Sequence, residues 1–127
     1  MNYLLDTHAL IWYFEDSPSL PNKIAEIIDS ATNCKYICAV SLWEIAIKMN
    51  LGKLTMHFSF EQLLDEIAAS DLIVLQIEDE YLKGLSKLES IHKDPFDRLI
   101  IATAVAKKLT IVTVDENIQK YDVSWVW

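Results

Sequence analysis

Four carboxylates stand where an apolar run of the chain gives way to a helix or a turn. They are Asp6, Glu44, Asp97 and Asp115, in the contexts YLLD, ICAVSLWE, HKDPFD and TIVTVD. In a parallel α/β sheet the carboxyl ends of the strands share one edge, where ligand sites form. Four acids at that edge would repel one another at neutral pH unless a counter-charge were bound. The pattern therefore predicts a site for a divalent cation.

The residue types also indicate which metal and which chemistry to expect. Oxygen ligands suit Mg²⁺ or Mn²⁺, whereas zinc prefers His and Cys. Mg²⁺ in proteins is usually held by a few carboxylates together with phosphate oxygens of a substrate. Such an ion lowers the pKa of a bound water and neutralises charge that develops on a phosphate. We therefore expect metal-assisted hydrolysis of a phosphodiester.

Helix capping offers a second explanation for the same acids. It assigns Ser41 and Glu44 to an S-x-x-E capping box, Asp94 to an N-cap before Pro95 with Asp97 in the first turn, and Asp6 and Asp115 to the caps of helices that follow them. Ser, Thr and Asn cap about as well as acids, so capping does not explain acids at all four positions. Free N–H groups at a helix start also stabilise a carboxylate, so one residue can both cap and bind metal.

Strand and helix patterns alternate along the whole chain. The strand predictions are Tyr3–Leu5, Tyr36–Val40, Leu72–Leu75, Thr110–Val114 and Val123–Trp127. The helix predictions are Pro21–Ser30, Ser41–Asn50, a helix opened by Ser59, Glu78–Leu88, Pro95–Lys108 and Glu116–Tyr121. The alternation indicates a three-layer α/β/α sandwich around a mostly parallel sheet. The stretch from about 41 to 70 predicts a helical-hairpin arm.

Composition narrows the class of protein. The 127 residues are 52% hydrophobic with only 2 Gly and 3 Pro, which predicts one globular domain over residues 1–127. No apolar run is long enough for a membrane span, and MNYLLDTH lacks a basic flank, so we expect a cytoplasmic protein without a signal peptide. Cys34 and Cys38 are expected to be buried apolar residues. The net charge of −8 argues against binding nucleic acid through a broad basic face.

Four motifs in order resemble those of a known family. They are LLDTHALIW, SLWEIAIK followed by GKL, HKDPFDRLIIATA and IVTVDENIQKY, and they span the chain. Together they resemble bacterial PIN-domain proteins, in particular VapC-type toxins of toxin–antitoxin pairs. The resemblance implies a PIN-like fold and Mg²⁺- or Mn²⁺-dependent endoribonuclease activity on RNA. It also implies a homodimer and a small cognate antitoxin as partner.

The resemblance places the family's acidic quartet on Asp6, Glu44, Asp97 and Asp115. Asp94 belongs to the same acidic turn as Asp97, either as an alternate metal ligand or as a residue that supports the ligands without touching the metal. No acid of the quartet is missing, so an active enzyme is expected, with products that carry a 5′-phosphate and a 3′-hydroxyl. The chain departs from many relatives at His8, where a smaller polar residue is usual.

Residues beside the acids are candidates for supporting roles. Thr7, Ser41 and Thr113 could orient the carboxylates or could only cap helices. Arg98 could contact a substrate phosphate, although a salt bridge to a neighbouring acid is the stronger expectation. His92 could shuttle protons, although a structural role is more common for a lone His.

Basic residues suggest where RNA could make contact. Lys48 and Lys53 in the helical arm are the candidates, with Lys107 and Lys108 at a helix end. The alternative is solvated charge for all four, or a favourable contact with the C-terminal helix dipole for Lys107 and Lys108. No basic–aromatic pattern indicating base stacking is visible along the chain, and the four tryptophans are expected in the core or in an interface.

Two other functional classes fit parts of the pattern. One is aspartyl-phosphate chemistry with Asp6 as nucleophile, either a phosphatase or a receiver-type domain. The phosphatase would need an acid where His8 stands, and the receiver would need a Lys where Asp115 stands, so both are disfavoured. The other class is a non-catalytic protein-binding scaffold in which the acids are only caps or contacts to an antitoxin.

Overall fold

Five parallel strands form one sheet with the order β3-β2-β1-β4-β5. The computed structural model describes all of residues 1–127. The strands are β1 Asn2–Leu5, β2 Cys34–Cys38, β3 Ile73–Leu75, β4 Thr110–Val112 and β5 Trp125–Val126. All five lie within the predicted apolar runs or extend them by one or two residues, and β1 occupies the centre. The predicted parallel sheet is confirmed.

Seven helices connect the strands. They are α1 Thr7–Phe14, α2 Asn22–Asp29, α3 Ala39–Asn50, α4 Phe60–Ala69, α5 Asp79–Ser86, α6 Pro95–Lys107 and α7 Glu116–Gln119. None of these helices has the length and apolar character needed to cross a membrane.

The helices cover both faces of the sheet, which confirms the three-layer sandwich. Because successive side chains of a strand point to opposite faces, Leu5 packs in one apolar cluster and Leu4 in the other. The cluster around Leu5 contains buried residues of α1 to α4, and the cluster around Leu4 contains buried residues of α5 to α7. Both faces of the three inner strands β2, β1 and β4 are buried, as expected for a parallel sheet, whereas the edge strands β3 and β5 are partly exposed.

Strand β2 ends two residues earlier than its apolar run predicts. Ala39 and Val40 belong to α3, whose N-cap position is held by Cys38 without a side-chain hydrogen bond. Ser41 therefore lies inside the helix, so the predicted capping box of Ser41 and Glu44 is wrong. The pairing of β2 with β3 stops at Cys38 and Leu75, so residues beyond Cys38 have no strand partner on that side.

The helical arm between β2 and β3 forms as predicted. Helices α3 and α4 contact each other and occupy residues 39 to 69. Gly52 follows the end of α3 with a φ of +71°, a left-handed conformation that Gly adopts without strain. Ser59 and Gln62 form the predicted capping box of α4.

Several details of burial differ from the sequence predictions. The helical spacing of Tyr81, Leu82, Leu85 and Leu88 predicts a buried face on α5, yet Leu82 is 44% exposed and only Tyr81 in that helix is buried. Cys34 is exposed and Cys38 is buried, so the expectation of two buried thiols is wrong for Cys34; both are free. Pro21 stands at the N-cap of α2 rather than in its first turn.

One lysine is buried at the start of β2. The Lys35 side chain is fully buried, and its Nζ lies 2.7 Å from both Asp71 Oδ2 and the Ser30 carbonyl oxygen. Asp71 lies in the turn that leads to β3 and is itself largely exposed. The ion pair therefore links two neighbouring strands at the end of the sheet opposite the acids. A buried ammonium is costly when its counter-ion is removed.

We predict that Asp71→Ala lowers the free energy of unfolding by roughly 1–3 kcal/mol, because it leaves the Lys35 ammonium without its carboxylate. Lys35→Met, which removes the charge but keeps the apolar stem, should cost less. Urea unfolding of the two variants measures the difference. Equal losses, or a larger loss for Lys35→Met, would contradict this interpretation.

Candidate active site

The sheet topology brings the predicted acids to one edge. Asp6 directly follows β1, α3 with Glu44 follows β2, and Asp115 follows β4. Strands β2 and β4 flank β1 on either side. Helix α6 leads into β4 and runs in the direction opposite to the parallel strands. Its N-terminal turn, with Asp94 and Asp97, therefore lies at the same edge as the carboxyl ends of the strands. The packing of α3 against α6 completes this arrangement.

Asp6 lies at the centre of the edge and is buried. One carboxylate oxygen accepts the Ala9 N–H at 2.8 Å and thereby caps α1, and the other accepts the Thr113 hydroxyl at 2.5 Å. Burial raises the pKa of Asp6 from 3.8 to about 6, although both hydrogen bonds oppose this rise; the charges of Asp115 and Glu44 raise the pKa further. Asp6 is therefore a cap, and it is also held close to other acids.

Glu44 is buried without any capping role. It is 3% exposed, lies in the second turn of α3, and accepts the Thr7 hydroxyl at 2.7 Å. Its other oxygen accepts the Lys48 ammonium at 2.6 Å. The Ser41 hydroxyl lies 3.0 Å from Thr7 Oγ1 and is also buried. Thr7 and Ser41 thus form a polar bridge from α1 to α3 that fixes the direction of the carboxylate.

Asp94 and Asp97 have different roles at the start of α6. Asp94 accepts the N–H groups of Phe96 and Asp97 at 2.9 and 3.0 Å and is the N-cap, as predicted. Asp97 caps nothing and is mostly buried. Its pKa is raised from 3.8 to about 6 by burial first and then by the charge of Asp94, while the hydrogen bond from His92 lowers it; Asp115 and Glu44 add smaller increases.

A series of hydrogen bonds between side chains leads from Arg98 to Asp97. Arg98 Nη1 donates to Tyr121 Oη at 2.9 Å, Tyr121 Oη lies 2.8 Å from His92 Nδ1, and His92 Nε2 lies 3.3 Å from Asp97 Oδ2. Because Tyr121 Oη accepts from Arg98, its own proton is available to Nδ1, which leaves the proton of a neutral His92 on Nε2. His92 therefore donates to Asp97.

Tyr121 is the residue of this series that the sequence did not single out. It is buried at the end of α7, 24 positions after Asp97, and only its place beside His92 reveals its function. Arg98 forms no salt bridge: its guanidinium also donates to the carbonyl oxygens of Leu88, Glu89 and His92. The expected salt bridge of Arg98 is therefore wrong, because main-chain carbonyls occupy its donors.

Asp115 follows β4, on the other side of β1 from the strand that leads to Glu44, and it is the N-cap of α7. Its carboxylate accepts the N–H groups of Asn117 and Ile118 at 2.8 and 3.2 Å. Its own N–H donates to Thr113 Oγ1 at 3.0 Å. Thr113 thus joins Asp6 and Asp115 through one buried hydroxyl. The three predicted supporting residues Thr7, Ser41 and Thr113 all bond to one another or to these acids.

The donor set suits a hard divalent cation. The candidate ligands are oxygen donors, the charges of neighbouring acids help burial to raise the pKa of Asp6 and Asp97, and Lys48 is the one lysine that contacts the acids. The side chains are not drawn together as a ready-made metal cluster of three or more ligands. Such an open arrangement is compatible with Mg²⁺, which keeps several waters and takes few protein ligands.

The predicted basic contacts differ in their relation to the acids. The hydrogen bond of Lys48 to Glu44 raises the pKa of the ammonium, and the charges of Glu44, Asp94 and Asp97 add to this rise. Lys53 is exposed and lies close to Lys48 along one cavity. Lys107 and Lys108 end the 13-residue helix α6, about 20 Å from its acidic N-terminus, so they lie away from the acids.

The family model for the PIN domain matches residues 3–124 of the chain. No curated protein matches the sequence.

Solved structures share the fold at low identity. A structure of VapBC2 from Rickettsia felis bound to a promoter DNA fragment aligns with a TM-score of 0.74 and 19% identity, over 99% of this chain and 98% of that chain. FitAcB from Neisseria gonorrhoeae gives 0.71 and 19%, over 98% and 96%. A toxin–antitoxin complex from Klebsiella pneumoniae gives 0.67 and 19%, over 98% and 96%. At this identity the likeness concerns the fold.

We predict that the metal-free protein becomes more stable as the pH falls from 7.5 to 5. Asp6 and Asp97 have pKa values of about 6 in the folded protein against 3.8 for the ordinary side chain. Between these values the folded state binds protons that the unfolded chain does not, so stability falls as the pH rises through this window. Urea unfolding with a chelator should show a gain of roughly 1 kcal/mol or more at pH 5.

Variants identify the source of this pH dependence. Asp97→Asn should flatten the profile, whereas Asp79→Asn, which changes an exposed acid in the first turn of α5, should leave it unchanged. Stability that rises with pH in the parent protein over this range would contradict the raised pKa values of Asp6 and Asp97.

Proposed function

The chain belongs to the PIN domain family, and on that premise we propose that it is a divalent-metal-dependent endoribonuclease, formed by one PIN domain over residues 1–127. The observation that carries the proposal is Glu44. It is a buried carboxylate without a capping role, and Thr7 and Lys48 hold it at the edge where Asp6, Asp97 and Asp115 also lie. Helix capping accounts for Asp6, Asp94 and Asp115 but leaves this buried acid unexplained.

Asp6, Glu44, Asp97 and Asp115 are the proposed ligands of Mg²⁺ or Mn²⁺, with Asp94 as a further one. When bound, such an ion activates water and offsets the charge that builds up on a phosphodiester during hydrolysis. The protein side chains do the rest of the work by holding carboxylate oxygens in place before the substrate arrives.

The supporting residues orient the ligands through specific atoms. Thr113 fixes one oxygen of Asp6 while the Ala9 N–H fixes the other. Thr7 fixes one oxygen of Glu44, and His92 donates to one oxygen of Asp97. Partners of this kind around ligating carboxylates strongly affect metal affinity. Arg98 contacts none of the ligands itself. It orients Tyr121, and Tyr121 in turn orients His92.

RNA is the proposed substrate, contacted locally rather than through a broad basic face. Lys48 and Lys53 supply positive charge beside the acids, while the whole chain carries −8. Lys48 is bound to Glu44, so a phosphate would have to share that ammonium with a carboxylate. Lys53 is free of ion pairs and is the better candidate for a phosphate contact.

We further propose that the protein is a VapC-type toxin with a small cognate antitoxin as partner, acting as a homodimer in the cytoplasm. The support is the family membership together with the fold shared with VapBC2, FitAcB and the toxin–antitoxin complex. A non-catalytic scaffold of the same fold is the rival, and it requires that the acids serve only as caps or as contacts to a protein.

We predict that Asp97→Asn abolishes Mn²⁺-dependent RNA cleavage, because the amide keeps the size of the side chain but removes a charged ligand. Asp94 still caps α6, so the variant should fold. Gel analysis of a labelled RNA should show a loss of at least 100-fold in rate, and calorimetry should show weaker Mn²⁺ binding. Removing the metal with EDTA should stop cleavage by the parent protein in the same way.

Asp79→Asn is the matched control, since Asp79 is also an acid in the first turn of a helix but lies outside the edge cluster. It should cleave RNA like the parent. RNA cleavage by Asp97→Asn at the parent rate would show that the ligand assignment is wrong.

A growth experiment tests the toxin proposal separately. Expression of the parent chain in a bacterial host should arrest growth, Asp97→Asn should not, and co-expression of the protein encoded beside it should restore growth. Normal growth with abundant, folded parent protein would exclude a toxin while leaving the nuclease chemistry intact.

A further inference from the structure

A cavity of about 380 Å³ lies directly beside the acid cluster. It is lined by Thr7 and His8 at the start of α1, by Trp12 one turn later, and by Lys48 and Lys53 from the arm. The volume lies within the range of roughly 300–1,000 Å³ that small-molecule sites occupy. Nothing in the metal chemistry proposed above uses this space.

Two residues join the cavity to the acids. Thr7 lines it and also donates its hydroxyl to Glu44 at 2.7 Å. Lys48 lines it as well, binds Glu44 at 2.6 Å and lies within reach of the charges of Asp94 and Asp97. The cavity therefore adjoins Glu44, one of the proposed metal ligands.

Aromatic rings form one side of the cavity. His8 is exposed, and its ring centroid lies 5.5 Å from that of Trp12 with the planes tilted by 45°. Trp12 is supported in turn by Trp127, at a centroid distance of 5.8 Å. Aromatic faces of this kind bind nucleobases of any sequence.

The lining of the cavity also carries positive charge. Lys53 is exposed and forms no ion pair, so its ammonium is free to contact a phosphate. The chain lacks a basic–aromatic pattern along its sequence because the parts are far apart: His8 and Trp12 belong to α1, and Lys53 follows α3. The fold alone brings them to one cavity.

We propose that this cavity binds the nucleotide next to the scissile phosphate of a single-stranded RNA. Its base packs against the His8 and Trp12 rings, and Lys53 contacts the phosphate. The proposal rests on the ribonuclease function above and deepens it, because it assigns the residues that contact the substrate beside the scissile bond. It also gives His8 a function as a substrate-contacting residue.

The test compares two probes with equal charge. One is a fluorescein-labelled 12-nucleotide oligouridylate, and the other is an abasic oligomer with the same number of phosphates. Fluorescence anisotropy gives the Kd of each in the Asp97→Asn protein with Mn²⁺, so that cleavage does not interfere. The ratio of the two Kd values measures the preference for bases and is insensitive to phosphate binding.

We expect this protein to bind oligouridylate at least fivefold more tightly than the abasic probe. Adding His8→Ala, or separately Trp12→Leu, should bring the ratio close to one. His8 is exposed, so its variant does not depend on refolding of the core. Adding Lys53→Ala should weaken both probes alike and reduce the slope of log Kd against log salt concentration by roughly 0.7.

Matched controls are Trp125→Leu, which removes a half-exposed aromatic ring outside the cavity, and Lys87→Ala, which removes an exposed lysine outside it. Neither should change the ratio or the salt slope. An unchanged ratio in both His8→Ala and Trp12→Leu would overturn the nucleotide cavity, and it would leave a peptide as the alternative occupant.

The two proposals fail in different ways. If the parent protein cleaves RNA and the cavity variants keep the base preference, the nucleotide cavity is overturned and the ribonuclease proposal stands. Loss of base preference in the cavity variants, with no cleavage by the unaltered protein, would overturn the ribonuclease and keep an RNA-binding cavity.

Discussion

Repulsion among carboxylates at one edge of the sheet is the constraint on which the functional interpretation depends. Asp6 and Asp97 both have pKa values raised to about 6, by burial first and then by neighbouring acids. A protein without use for these charges would gain stability by replacing them, since a neutral residue caps a helix about as well as Asp6 does and Asp97 caps no helix. The cost is consistent with selection for function, because binding sites often conflict with the stability of the fold.

The rest of the molecule holds that edge together. The central position of β1 places Asp6 between the strands that lead to Glu44 and Asp115. Buried hydroxyls then fix the carboxylates across elements that are distant in sequence: Thr113 is 107 positions from Asp6, and Thr7 is 37 positions from Glu44. These bonds tie the beginning of the chain to its middle and its end, so the fold and the site form together.

The fold could be predicted largely from local patterns. Apolar runs at β1 and β4, the capping box at Ser59 and the Asp-Pro start of α6 each carry a strong local signal, and all four are confirmed. The sequence failed at Ser41 and Glu44, where two local patterns competed: a strand-like run through Val40 and an S-x-x-E motif. Helix α3 begins at Ala39, two residues before the predicted start at Ser41. The start depends on where the pairing of β2 ends and on the burial of Val40, and both are tertiary effects that local patterns do not encode. Tyr121 and the pairing of His8 with Trp12 were missed for the same reason, because only the folded chain gives them their neighbours.

Anomalous X-ray scattering from crystals grown with Mn²⁺ tests the metal site most directly. A functional acid cluster predicts an anomalous peak at the carboxyl edge of the sheet, within about 2.5 Å of carboxylate oxygens of Asp6 and of at least one of Glu44, Asp97 and Asp115. Crystals that contain Mn²⁺ but show no peak at this edge, or a peak only at acids elsewhere on the surface, would contradict it.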